Sequence, residues 1–221
     1  MIRIIALFGL LSLMGVLPAS AEFSVANVRD ALAKEDFTSL EADFQSAYEH
    51  ALEDRDFAKI RNVYSLLFVT ANSARLRHNQ NWLMQHPDSP FAATGLAWAH
   101  YYRAYQFRGH LVWWSTTREL QSRFLEELEL SKLYSDMALD VAPTFLPAVD
   151  AAILLRGTNT YREDVKPLVQ VLLDVAPDRH ALEIGLDALS LRGVDNLMSN
   201  ISLCANLAEW VSSYDAELCF I

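Results

Sequence analysis

Apolar residues recur at intervals of three and four along almost the whole chain, the spacing of helices that bury one face. The pattern predicts helical segments over 25–34, 40–53, 58–70, 75–85, 90–108, 117–141, 145–156, 164–175, 181–191 and 197–211. Three starts fit a capping box, in which a hydroxyl and a carboxylate three residues later satisfy orphan backbone donors. They are Thr38–Glu41, Thr116–Glu119 and Thr160–Glu163. Pro167 either starts the eighth segment near Asp164 or kinks it. No stretch alternates with period two for long enough to argue a sheet.

The segment from Asp88 to Trp114 organises the rest. Ser89 suits an N-cap and Pro90 the first helical position, where its missing N–H costs nothing. Gly109 tolerates the turn that ends a helix. Between them Phe91, Trp98, Tyr102 and Tyr105 share one arc, while Leu96, His100, Arg103 and Phe107 share the opposite one. A helix apolar on two sides belongs between other elements. Ala92, Ala93, Gly95, Ala99 and Ala104 let those neighbours approach closely.

One internal echo sets the expected architecture. Leu139-Asp140-Val141-Ala142-Pro143 returns as Leu173-Asp174-Val175-Ala176-Pro177, thirty-four residues later. That is the period of a tetratricopeptide unit, a helical hairpin closed by proline. Ala138 stands where such a unit wants a small residue, whereas Glu119 occupies another such position and departs from the signature. The fold expected is all-α, with helical hairpins stacked as a degenerate tetratricopeptide-like right-handed superhelix.

The run Trp82, Pro87-Asp88-Ser89, Ala93, Gly95, Ala104, Arg108-Gly109, followed by a long helix ending in Ala138-Leu139 and Pro143, resembles a known bacterial family. It is similar to the uncharacterised tetratricopeptide-like proteins of the domain-of-unknown-function family numbered four thousand and thirty-four. The likeness covers roughly Leu32 to Ala151. It implies an all-helical, repeat-like fold and carries no established activity.

The amino terminus adds a destination. Arg3 precedes an apolar run from Ile4 to Leu17, and Ala19-Ser20-Ala21 supplies the small-x-small pattern of a signal-peptidase site. Residues 1–21 therefore read as a signal peptide cut between Ala21 and Glu22, and residues 22–221 as a single domain that is periplasmic or secreted. The apolar run is too short for a stable membrane span. A net charge of −10 repels nucleic acid and anionic lipid and is compatible with a basic partner.

Candidate chemistry is sparse. His100, Arg103, Arg108, Trp113 and Trp114 form the best tentative binding set: aromatic walls and guanidinium groups can hold a carboxylate or a planar ligand. The same residues equally serve as core and helix cap. Glu126, Glu127 and Glu129 read as the wet face of the long helix. The motifs of di-iron bundles, zincins, nucleophile elbows and phosphate loops are missing, so no catalytic residue, metal or cofactor is expected. Cys204 and Cys219 suit a disulfide in an oxidising compartment, provided that the chain reverses near Ser212–Asp215. The leading expectation is an interaction or scaffold module with a protein or peptide partner. A small-ligand binding protein using residues 98–114 is the alternative, and a hydrolase the third.

Overall fold

A computed structural model describes residues 23–70, 72–109, 115–158, 160–161 and 164–190. The signal segment with its Ala21–Glu22 junction, His110, Trp113, Trp114, the 197–211 segment and both cysteines lie outside the described residues. Among the described residues all regular structure is helical: α1 (Val25–Lys34), α2 (Phe37–Asp54), α3 (Ala58–Leu67), α4 (Ser73–Gln85), α5 (Pro90–Arg108), α6 (Arg118–Val141), α7 (Leu146–Arg156), α8 (Lys166–Val175) and α9 (Arg179–Ser190). None is long and apolar enough to cross a membrane.

Local chemistry fixes the ends. Ser89 caps α5 through the Ala92 N–H, with Pro90 in the first turn. Gly109 ends it at φ +60°, a backbone region that side-chain-bearing residues avoid. Two expected capping boxes are corrected. Asp36, not Thr38, caps α2 by accepting from the Ser39 N–H, because it lies ahead of Phe37, whose buried side chain must already belong to the helix. Thr117, one residue beyond the expected Thr116, caps α6. The Thr160–Glu163 box includes residues outside those described, and α8 begins at Lys166 with Pro167 in its first turn.

The echoed pentapeptides have a common backbone outcome. Ala142 ends α6 at φ −133°, ψ 79° and Ala176 ends α8 at φ −145°, ψ 89°. His86, before Pro87, ends α4 at φ −127°, ψ 74°. Proline disfavours helical geometry in the residue before it, except where that residue opens a helix, as Leu146 and Lys166 do. Each corner leads directly into α5, α7 or α9.

Helix α5 sits between α4, α6 and α7. An aromatic core gathers α2, α3 and the head of α7 around its first turn. Phe91 stacks on Phe44 of α2 at 5.5 Å and meets Phe145, at the head of α7, edge-on at 5.2 Å. Tyr64 of α3 packs on both partners and donates its hydroxyl to the Phe91 carbonyl at 2.9 Å. Gly95 gives α5 its closest approach: a Cβ there would lie 2.8 Å from the Phe68 ring and from Asn79 Nδ2. Across the other side, Asp136 of α6 accepts from Lys132 at 2.7 Å and from Arg156 of α7 at 2.5 Å. Partial burial pushes the Asp136 carboxyl up, but these two cations outweigh it and hold the group below the usual aspartate range.

Two stability outcomes follow from these contacts. Gly95→Ala gains about 1 kcal/mol of helix propensity but overpacks a buried ring at a cost of about 1–3 kcal/mol. A lower urea midpoint is expected, and an unchanged or higher one would show that Phe68 and Asn79 give way. Because its carboxyl is depressed in the folded state, Asp136 contributes stability above the ordinary aspartate value that fades as pH falls through the folded one. Asp136→Asn should therefore reduce stability at neutral pH and lessen its decline below about pH 4, as read by urea unfolding across pH.

Candidate functional site

Among the described residues, two buried carboxylates, Glu127 and Asp150, anchor clusters of ionisable side chains at helix interfaces. The first lies between α5 and α6. His100 is 3% exposed and stacks on Tyr134 at 5.4 Å, with its Nδ1 2.6 Å from Glu127 Oε2. Arg103, one turn further along α5, reaches Glu127 Oε1 at 3.0 Å. Glu127 is only 8% exposed, which corrects the reading of 126, 127 and 129 as a single wet face. Glu126 and Glu129 are exposed, taking bonds from Ser122 and Tyr161. Two small neighbours let the helices close on this pair: Ser131 donates to the Ala97 carbonyl at 2.9 Å, and Ser135 turns back to Lys132.

The structure thus brings together His100 and Arg103 of the expected binding set, on a carboxylate that was not expected to join them. Both partners of Glu127 are committed to the interface. Only His100 Nε2 remains without a hydrogen bond. Arg108 belongs elsewhere: its guanidinium lies 5.9 Å over the Tyr105 ring, near the end of α5. Next to it, burial and then the neighbouring Tyr105 push the Tyr101 phenol far above its usual range, so it stays neutral.

The second cluster was not anticipated. Asp150 of α7 is 1% exposed, a lone charge in the apolar run Leu146–Leu155. A buried carboxylate needs compensation, and Arg61 of α3 supplies it. Arg61 Nε lies 2.9 Å from Asp150 Oδ2, while its second contact, to Oδ1, is long at 3.5 Å. The same guanidinium reaches Asp178 Oδ2 at 2.7 Å. Asp178 also caps α9 by accepting from the Ala181 N–H, which places His180 Nε2 3.2 Å from Asp150 Oδ2.

Arg61, Asp150 and His180 of this cluster form the floor of an open cavity of about 230 Å³. Trp98 and Pro147 make an apolar wall, tied by the bond from Trp98 Nε1 to the Pro147 carbonyl at 3.0 Å. Tyr64, Asn62 and Ser65 complete the lining. Asp150 and His180 make a carboxylate–imidazole dyad, but the Ser65 hydroxyl donates to the Asn62 carbonyl at 3.0 Å. The serine hydroxyl is thus bonded back within its own helix rather than to the imidazole. The cavity residues come from α3, α5, α7 and α9. The one sequence signal for them was the isolated charge of Asp150. Among the described residues no group of histidine, cysteine and acidic side chains is placed to hold a metal ion.

The burial of Glu127 makes a direct stability test. Glu127→Ala leaves His100 and Arg103 facing an interface without their counter-charge and should cost about 3 kcal/mol. Glu126→Ala, on the exposed face, should stay within about 0.5 kcal/mol in the same urea series. Equal losses would mean that the pair carries no more than a surface charge does. No family model, curated protein or solved structure matches the chain.

Proposed function

We propose that the chain is an exported helical-repeat protein that acts by holding a partner, as an interaction or scaffold module in the periplasm or outside the cell. On this reading its hairpins stack as a degenerate tetratricopeptide-like right-handed superhelix. The thirty-four-residue echo, the common hairpin corners and the resemblance to the uncharacterised tetratricopeptide-like family support that architecture.

The observation that carries the reading is on α6. Leu130, Leu133 and Val141 are 37%, 53% and 53% exposed, and with half-buried Met137 they fall along one face at steps of three and four. A connected apolar stripe on an otherwise charged helix is what a partner helix covers. Exposed Glu126, Glu129 and Asp140 flank it, and the chain as a whole carries −10. The occupant that fits is a basic amphipathic helix of another protein, with its apolar side on the stripe and its cations over the flanking carboxylates. A second copy of this chain would oppose acid to acid.

The test uses the full processed chain and two designed helical peptides with the same leucine face, one lysine-rich and one glutamate-rich. The lysine peptide should bind saturably by anisotropy, and Leu133→Glu should weaken it at least tenfold, about 1.4 kcal/mol. Leu66→Glu, on the exposed side of α3, should leave binding unchanged. Equal binding of both peptides, or loss with both variants, would overturn the assignment of this face. Intact mass should place the amino terminus at Glu22 if the chain is exported as proposed.

A further inference from the structure

The cavity over Asp150 has a charge balance that selects its occupant. Arg61 is the sole permanent cation among the residues lining it, and two carboxylates share it. Counted on the permanent charges of Arg61, Asp150 and Asp178, one negative charge is left over. The start of α9 offsets part of this, since a helix amino terminus carries about half a positive charge, but not all of it. Acceptor capacity is left as well. An ionised carboxylate can take about four hydrogen bonds, and Asp150 Oδ1 holds only the long contact to Arg61. The Asp178 side chain is 38% exposed, so its charge is within reach from outside. Above this floor stands the indole of Trp98, whose π face attracts cations.

We propose that this cavity is a receptor for a single organic cation on an alkyl stem, an ammonium or guanidinium group of the lysine or arginine type. The charged end sits by the free edge of Asp150, in the field of Asp178 behind Arg61, and the stem lies along Trp98 and Pro147. An incoming anion meets a guanidinium whose charge is already outweighed by two carboxylates. The volume of about 230 Å³ accommodates one long basic side chain. The source is either a free amine or a basic residue of a protein partner, and both present the same group. The assignment does not depend on the α6 face, which contributes no residue to the cavity.

The experiment is calorimetric titration of the intact chain with butylammonium, butylguanidinium, N-acetyl-lysine amide and butyrate. The three cations should bind saturably and butyrate should not. Asp178→Asn should weaken the cations at least fivefold, because asparagine keeps the cap on α9 while removing the charge. Glu126→Gln makes the same charge change on α6 and should leave them unaffected. Tighter binding of the lysine amide than of butylammonium assigns the site to a protein partner, and equal or weaker binding to a free amine. Either supports a cation receptor. Saturable butyrate binding, equal effects of Asp178→Asn and Glu126→Gln, or no saturable cation binding up to about 50 mM would overturn it. Asp178→Asn is read only where its circular dichroism and urea midpoint match the parent, and Asp178→Ser, a second cap-forming variant without the charge, decides the matter otherwise. Leu133→Glu should not alter any of these titrations, which separates failure here from failure of the α6 reading.

Discussion

From Phe91 to Ala97 every residue of α5 is buried, and that single fact constrains the arrangement of its neighbours. An amphipathic helix satisfies its apolar side with one partner layer, but a helix apolar all round must be enclosed. Packing against α4, α6 and α7 together provides the enclosure. Close enclosure requires small residues at the contacts, which is the role of the alanines and of Gly95 against Phe68 and Asn79. The neighbours also send polar atoms to α5 and its surroundings. Tyr64 bonds the Phe91 carbonyl, Ser131 the Ala97 carbonyl and Asn79 the Ala92 carbonyl, so that each buried hydroxyl or amide N–H finds an acceptor that the helix already presents.

Enclosure also explains where the charges went. His100 and Arg103 lie on the part of α5 that meets α6, where the imidazole is buried and the guanidinium only partly exposed, so that water can do little for a lone charge at His100. Glu127 resolves this by taking both. A pair of this kind adds little net stability over apolar residues, yet it costs a great deal to break, so its value lies in alignment. Shifting α6 by one turn would set apolar side chains against the imidazole and guanidinium and leave Glu127 without partners. The Asp150 cluster has the same logic at the α3, α7 and α9 junction, with one difference. There the interface stays open, and part of the charge faces a cavity.

Much of this was legible before any coordinates. The helix from Pro90 to Arg108 follows from its cap, its proline and its glycine, and the expectation that it lies in the middle follows from its two apolar arcs. Glu127 was legible too, and was misread. At about 100° per residue it falls beside Phe124, Leu128, Ser131, Ser135 and Ala138 rather than between Glu126 and Glu129. Neighbourhood in sequence suggested one acidic face where rotation puts two. The α2 start was missed because Asp36 competes with Thr38, and the buried Phe37 decides in favour of the earlier cap. Arg61 and Asp150 are eighty-nine positions apart, so their pairing depends on how α3 and α7 pack, which no local pattern encodes. Asp150 alone was visible, as a charge that required an answer.

The recurring corners separate two ideas that the thirty-four-residue echo had joined. Ala142 and Ala176 adopt nearly the same backbone angles, as a repeat would require. Yet His86 adopts them as well, in a sequence that shares only the proline and the leucine four residues before it, Leu83, with the echoed pentapeptides. A proline just past the helix end is therefore the main common element of the corners, since it disfavours helical geometry in the residue before it and turns the chain toward the next helix. The echo is accordingly weaker support for periodic stacking than its identity suggests. What distinguishes one hairpin from the next is the chemistry between helices: His100 and Arg103 on Glu127 at α5–α6, Asp136 on Arg156 at α6–α7, and Asp150 on His180 at α7–α9. These contacts differ in every case. The specificity of the molecule resides in them, while the corners supply only the means of reversing direction.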